Sequence, residues 1–306
     1  MATNYRNGLS VYGLPVLPGG VPDTTGAVYF VSNRSGDSGS DGNDGLSKER
    51  PFSTLAKAVS LMEAGRGDVA VIMPGHAETI TTTVTPVAGS CIVGLGWGRN
   101  KPSFTGSGAI AVFTISAANV YIRNIRVVGA AASVTAHMVV TGDDLTVEDC
   151  EFTHNATPLL SIDVNSTGDR FTFERCKWVG VAAGPDACID LARDSGDDFR
   201  IIDCVAQYAG SSGLDLAFIQ GPAADRPGVG GIINGLSVVN FDATVVDFNS
   251  SVTATGDGLV ANVNACASGN ITIANAIDLG GYNASNVYLT DAAAARGTNF
   301  PTTTPA

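Results

Sequence analysis

Four stretches decide the fold: NVYIRNIRVVG (119–129), DLTVEDCEFTH (144–154), RFTFERCKWVG (170–180) and DFRIIDCVAQY (198–208). Laid under one another they share one frame. Its first apolar position holds Val120, Leu145, Phe171 and Phe199, and the next holds Ile122, Val147, Phe173 and Ile201. A polar pair follows, then Ile125, Cys150, Cys176 or Cys204, then Val127, Phe152, Trp178 or Ala206. Successive copies lie 25, 26 and 28 residues apart. A repeat of that length means stacked supersecondary units, none able to bury its own apolar face alone. Inside each unit apolar and polar residues alternate, as in a half-buried strand. The alternation slips at Asn124, Asp149, Arg175 and Asp203. Asn and Asp tolerate the left-handed conformation that a sharp bend needs. Arg175 shows that the bend does not require them.

The frame continues in GIINGLSV (231–238), with Ile233, Leu236 and Val238 inside and Gly235 at the bend. NITIANAIDL (270–279) offers Ile271, Ile273 and Ala276 with Asn275 at the bend, across a gap that holds either an extra rung or a long excursion. Upstream, SCIVGLG (90–96) reads as the first full rung. A second strand family precedes the first: Phe113/Ile115, Met138/Val140, Leu160/Ile162, Ile189/Leu191 and Leu216/Phe218. Two or three short strands per turn of this length predict an all-β parallel β-helix. A leucine-rich repeat would show Leu-x-x-Leu-x-Leu with a helical segment, and a sandwich would share no fixed frame.

The 306 residues carry a formal net charge of −12 and show no basic patch, which argues against nucleic acid as a partner. No apolar run reaches the length of a membrane span, and no signal peptide is visible at the N-terminus. Of the six cysteines, Cys150, Cys176 and Cys204 recur at one frame position. That position predicts buried free thiols rather than a metal site, since Cys-x-x-Cys spacing is missing. No motif calls for a cofactor or a metal.

In chain order, residues 1–27 are Gly- and Pro-rich and without a steady period. Their apolar side chains Leu9, Val11, Tyr12, Leu14, Val16 and Leu17 predict an extended arm that docks on a partner. AVYFVS (27–32) is a strand. The polar loop after it, with Asp37, Asp41 and Asp44, resembles a calcium loop only in spacing, lacks the distal Glu, and reads as a solvated turn. PFSTLAKAVSLMEAG (51–65) is predicted to be a helix, capped by Ser53 or Thr54 and ended by Gly65, with Leu55, Ala58, Val59 and Met62 as its apolar stripe. It would cover the open end of the solenoid. GDVAVIMPG (67–75) is a strand running into a turn. Four parts result: the arm 1–27, the strand–loop–helix segment 28–75, the β-helix body 76–290, and a Thr/Pro-rich tail 291–306.

DGNDGLSKERPFSTLAKAV (41–59), followed by GDVAVIMPGHAETI (67–80), resembles the opening segment of the pectin-lyase-like superfamily of single-stranded right-handed β-helices. The resemblance covers about residues 40–80 in sequence and the rungs in pattern only. The opening NGLSVYGLPVLPGG, with TTGAVYFV, is also similar to the start of tailed-bacteriophage virion proteins on this fold. It implies a right-handed β-helix in a virion structural protein made in the host cytoplasm: a capsid decoration protein, homotrimeric, with the major capsid protein as partner. The alternative is a tail spike or tail-tip protein that binds or cleaves bacterial surface polysaccharide.

The superfamily holds enzymes and inert proteins alike, so function rests on the site. None of His76, His137 and His154 lies in the Gly-His-Gly motif of polygalacturonase-like members. The best acidic cluster is IDLARDSGDDFR (189–200), with Asp190, Arg193, Asp194, Asp197 and Asp198, and with Asp203 and Asp215 beyond. For an enzyme, Asp190, Asp194 and Asp215 would be the catalytic carboxylates; otherwise this is a polar turn. The only tryptophans are Trp97 and Trp178, and Trp178, in frame with the core, is expected to be packed rather than displayed to a ligand. His76 is expected to be a surface or satisfied histidine.

Overall fold

The computed structural model describes the backbone of residues 9–11 and 14–16, and residues 24–108, 110–129, 136–154, 160–164, 168–180, 187–191, 197–208, 217–221, 229–241, 246–247, 258–267, 277–278, 283–290 and 298–299. The chain is an all-β parallel solenoid with three ladders of short strands. The first ladder runs through Val28–Val31, Val69–Ile72, Cys91–Gly94, Tyr121–Arg123, Thr146–Glu148, Thr172–Glu174, Arg200–Ile202 and Gly231–Asn234. The second runs through Ala77–Ile80, Ser103–Gly106, Arg126–Gly129, Glu151–His154, Lys177–Gly180, Val205–Tyr208 and Ser237–Phe241. The long strands Gly258–Ala267 and Asn283–Thr290 continue both ladders past the bend. The third contains Phe113–Ile115, Ala136–Val140, Leu160–Val164, Ala187–Leu191, Ala217–Gln220, Val246–Asp247 and Ile277–Asp278.

Register reproduces the spacing of the sequence frame: Val127 pairs with Phe152, Phe152 with Trp178, and Trp178 with Ala206. All sixteen frame residues from Val120 to Ala206 are 2% exposed or less. Side chains of one column stack between rungs about 4.8 Å apart. The Phe171 and Phe199 rings lie 5.4 Å apart at 11°, and Phe152 and Trp178 lie 5.1 Å apart at 17°. Cys150, Cys176 and Cys204 are buried free thiols in the core. Burial pushes the Cys150 thiol up to about 12 and the Cys176 thiol well above the ordinary value, so neither is a nucleophile.

The bends explain why Arg is tolerated among Asn and Asp. Asn124, Asp149, Arg175 and Asp203 all have φ between 51° and 55°. Each donates its backbone N–H to a carbonyl one rung on: Asn124 to Glu148, Asp149 to Glu174, Arg175 to Ile202 and Asp203 to Asn234, at 2.9–3.0 Å. The backbone ladder therefore imposes the left-handed conformation, at roughly 1–2 kcal/mol for a non-glycine residue. Gly235, Asn262 and Asn286 continue the column. A second left-handed column, Asn119, Asp144, Arg170, Asp198 and Gly230, lies at the turn into the first ladder. Frame reading missed this column because it sits just outside the apolar alternation.

Several expectations need correction. Between Gly235 and NITIANAIDL lies the rung Gly258–Ala267, with Val260, Val263 and Ala265 buried and Asn262 at the bend, while Ile277–Asp278 joins the third ladder rather than the rung frame. The gap thus holds an extra rung, and 270–276 lies outside the described residues. Cys91–Gly94 is not the first rung, since Val28–Val31 and Val69–Ile72 precede it in register. In the second strand family Ile162/Val164, not Leu160/Ile162, is in register with Met138/Val140 and Ile189/Leu191. Ile219 pairs with Ile189, so the Leu216/Phe218 frame is shifted by one, and Leu216 lies outside the described residues.

The helix is Leu55–Val59, far shorter than 51–65. Its start is delayed because Phe52 is used by the first strand: Phe52 donates to the Phe30 carbonyl and accepts from Ser32 N–H. Thr54 is the N-cap and accepts from Lys57 N–H. Asp41 reaches over from the polar loop to take the N–H and hydroxyl groups of Ser53 and Thr54. The chain turns after Val59 through N–H bonds from Leu61 to Ala58 and from Met62 to Val59. Leu55, Ala58, Val59 and Met62 are buried in the same core as the rungs.

The arm is not wholly aperiodic. Leu9–Val11 and Leu14–Val16 form an antiparallel pair, Leu9 opposite Val16 and Val11 opposite Leu14; Tyr12 and Leu17 lie outside the described residues. In the tail, Thr298–Asn299 pairs antiparallel with Tyr288–Leu289.

Candidate functional site

An open groove of about 550 Å³ lies on the flank where the first ladder bends into the second, lined by Trp97, Lys101, Arg123, Asp149, Glu151 and Arg175, among others. One wall is the loop that leaves Gly94 and returns at Ser103. The Asn124 side-chain amide pins it, donating to the Gly94 and Gly96 carbonyls at 2.8 and 2.9 Å. The fit needs glycine: a Cβ on Gly94 would sit 2.2 Å from the Asn124 carbonyl oxygen. Lys101 Nζ donates to the Asp149 carbonyl at 2.7 Å, and Arg126 donates to the Gly98 carbonyl at 3.3 Å. Held this way, Trp97 stands 85% exposed at the rim, while Trp178 is fully buried.

The groove floor is an ion-pair lattice that crosses rungs. Asp149 is gripped from both sides, by Arg123 Nε at 3.2 Å and Arg175 Nε at 2.9 Å. Arg175 also reaches Glu148 and Glu174, and Arg126 Nε pairs with Glu151 at 3.1 Å. Burial alone would raise the Asp149 carboxyl, but the two arginines hold it below the usual carboxylate range. Tyr121 bonds Glu148, and burial with that carboxylate raises the phenol. Asp149, Arg123 and Arg175 are fixed charges at neutral pH.

The acidic stretch 189–200 divides between two places. Asp190 lies on the third ladder, half-buried, in register with Asp163 on one side and Gln220 on the other. Gln220 in turn pairs with Asp247, and Asp247 with Asp278. Asp197 and Asp198 belong to the turn into the first ladder. Asp197 accepts from Val229 N–H at 2.7 Å and donates its own N–H to Asp169 at 3.0 Å; Asp169 donates to Asp143 at 3.2 Å. Each carboxylate thus ties down the next rung's backbone. Arg193, Asp194 and Asp215 lie outside the described residues. Among the described residues no group of three or more His, Cys, Asp or Glu side chains is placed to hold a metal ion. Both Asp columns escaped sequence reading, although 143, 169 and 197 repeat at the rung period.

His76, Glu78, Asp37 and Asp44 are tied into the fold by hydrogen bonds. His76 is buried: its Nδ1 accepts from Asn33 N–H at 3.1 Å, so Nε2–H donates to Glu78 at 3.0 Å. Glu78 also accepts from Leu55 N–H at the start of the helix. In the polar loop Asp37 bonds Ser32, and Asp44 accepts from Leu46 N–H and pairs with Arg50. His137 is buried against Gly129, and burial lowers it to about 4.

One solved structure supports the fold. The chain is similar to the crystal structure of pectate lyase Pel9A, at TM-score 0.55 and 15% identity, over 88% of this chain and 78% of that one. It is also similar to a rhamnogalacturonan lyase, at TM-score 0.49 and 15% identity over 86% and 87% of the two chains. ORF18 of Geobacillus virus E2 is similar at TM-score 0.33 and 11% identity, over 77% and 57%. Only the first of these likenesses is close enough to carry weight, and at that identity it shows the fold alone. No family model matches the sequence, and no curated protein matches it. The class defined is the parallel β-solenoid, the fold shared with that pectate lyase.

Proposed function

We propose that the chain is a non-enzymatic structural protein of a tailed-phage virion, a capsid decoration protein attached through residues 1–27. The observation supporting a structural role is the use of charge on the solenoid flank. Asp143, Asp144, Glu148, Asp149 and Glu151 are each paired with an arginine across rungs. Asp144, held by Arg170, and Asp149, held by Arg123 and Arg175, are kept below the usual carboxylate range. A carboxyl held ionised cannot donate the proton that glycoside cleavage needs. The same pairs brace one rung against the next.

The virion setting rests on the resemblance of the opening stretch. In this reading the major capsid protein is the partner, the protomers form a trimer, and the short helix with Phe52 and Met62 closes the first end of the solenoid. The acidic surface keeps many copies soluble and away from nucleic acid before assembly. The test is deletion of residues 2–26. The shortened protein should keep β-rich circular dichroism yet fail to bind particles that lack the native copy. Binding equal to that of the full chain would remove the arm as anchor.

Trp97 favours a second reading, in which a tail-type protein binds bacterial surface polysaccharide. An exposed indole beside Lys101, Arg123 and Arg175 suits the face of a sugar ring next to an acidic group. Retention on acidic polysaccharide that Trp97→Ala abolishes would support it. Release of reducing ends or unsaturated uronate, abolished by Asp190→Ala, Asp194→Ala or Asp215→Ala, would replace the structural reading with an enzymatic one.

A further inference from the structure

Strands Val28–Val31, Val69–Ile72 and Cys91–Gly94 read VYFV, VAVI and CIVG, without the polar alternation of later rungs. Their inward residues Tyr29, Val31, Ala70, Ile72 and Ile92 join the solenoid core. Their outward residues are apolar as well. Val69, Val71 and Val93 form a separate cluster on the outer face, packed with Val28, Phe30, Cys91, Leu95 and Tyr121. The three valines are 1%, 2% and 1% exposed. A parallel strand buried on both faces signals a second layer. The burial arises within a single chain, so the layer comes from this chain.

We infer that the N-terminal hairpin, Leu9–Val11 with Leu14–Val16, folds back over this outer face as that second layer. Four observations converge on it. The register Leu9–Val16 and Val11–Leu14 puts these four apolar positions on one face of the hairpin. Residues 7–22 contain no charged side chain, as suits a segment that covers valines. The arm also leaves the solenoid at the edge of the patch. Thr24 bonds the Gly67 carbonyl, and Ala27 N–H donates at 2.7 Å to Asp68, which Arg66 clamps from its other side. This pins the chain beside Val69. From there to Val16 the connection has ample length, because eleven extended residues span about 35–40 Å and three rungs span only about 10 Å. The C-terminal tail is tied to the far end, where Thr298–Asn299 pairs with Tyr288–Leu289.

The inference deepens the reading of the arm, leaving its outermost residues to reach a partner. It is tested on the purified chain without any particle, so it stands or falls separately from the virion assignment. Cys91 reports on the patch, Cys150, Cys176 and Cys204 report on the core, and exposed Cys266 is the positive control. Burial now pushes the Cys91 thiol up to about 11. In Val11→Asp/Leu14→Asp and in a deletion of residues 2–23, Cys91 should label at least about tenfold faster, because uncovering it restores both access and thiolate. The three core thiols should stay protected, and an apolar dye should bind. Cys91 labelling as slow as in the parent would overturn the assignment. Should the deletion also expose the core thiols, Leu14→Asp alone decides by the same readout, since it leaves every rung intact. Light scattering closes the remaining route: Cys91 protection that disappears on dilution to monomer would move the hairpin to a second copy and overturn the assignment to the same chain.

Discussion

The outer face of the first ladder changes character along its length. One column runs Val28, Val69, Cys91, Tyr121, Thr146, Thr172, Arg200 and Ile232, and its neighbour runs Phe30, Val71, Val93, Arg123, Glu148, Glu174 and Ile202. The inner face is apolar throughout, so all rungs share one core. At Tyr121 and Arg123 the outside switches from a buried apolar layer to a polar one, which lasts to Glu174 and Arg200 before Ile202 and Ile232 follow. The covered end has no charge to organise, while the wet end holds its carboxylates in arginine pairs from rung to rung. One backbone repeat therefore supports two surfaces, one buried at the first end and one polar beyond it.

The largest expected effect lies on the face common to both regions. Phe173→Ala should cost about 3–5 kcal/mol and Ile201→Ala about 2–5 kcal/mol, from lost burial plus the cavity left behind. Denaturant unfolding measures this, and variants that unfold with the parent would break the inward frame on which the comparison rests. Next comes the contrast between the two outer surfaces. Val71→Ala should cost about 1.5 kcal/mol, at about 0.8 kcal/mol per buried methylene-sized group, whereas Thr172→Ala should stay within about 0.5 kcal/mol. Equal costs would mean that the first rungs carry no second layer.

A subtler effect concerns acid. Asp144 and Asp149 are held below their ordinary value of 3.8 when folded. Their pairing therefore stabilises the protein above that value and is lost as pH falls through the lowered folded values. Melting temperature followed from pH 6 to pH 2.5 should fall most steeply below about 4, and Arg170→Gln with Arg175→Gln should flatten that fall. A variant profile parallel to the parent's would show the pairs to be idle. Smallest of all, Arg175→Gly should change stability by no more than about 1 kcal/mol, because relief of the left-handed backbone offsets loss of exposed ion pairs. A larger loss would make Arg175 more than a tolerated member of its column.

Much of the candidate flank was legible in part. The bends at Asn124, Asp149, Arg175 and Asp203 could be placed because they interrupt the alternation, and the flank groove sits on three of them. The burial of Trp178 was legible from its core position, whereas the exposure of Trp97 had no mark in the sequence. What the chain could not reveal was which charges meet: Asp149 touches arginines 26 residues away on either side, a relation set by register. The acidic stretch 189–200 looked like one cluster because its residues are adjacent in sequence, yet a strand and a turn carry them to different places.

The sequence alone determined the inward face, since period-two alternation repeated at a constant spacing leaves one arrangement that buries Phe173, Cys176 and Trp178 together. It also determined where the backbone must bend. Only the tertiary structure decided the third ladder's register, the rung at Gly258–Ala267, the length of the helix and the covered outer face of the first rungs. The physical reason is the same in each case. Local alternation reports whether a side chain faces the core, but loops of variable length erase the count between ladders. An apolar residue on the second face has no sequence mark of its own until the layer that covers it is in place.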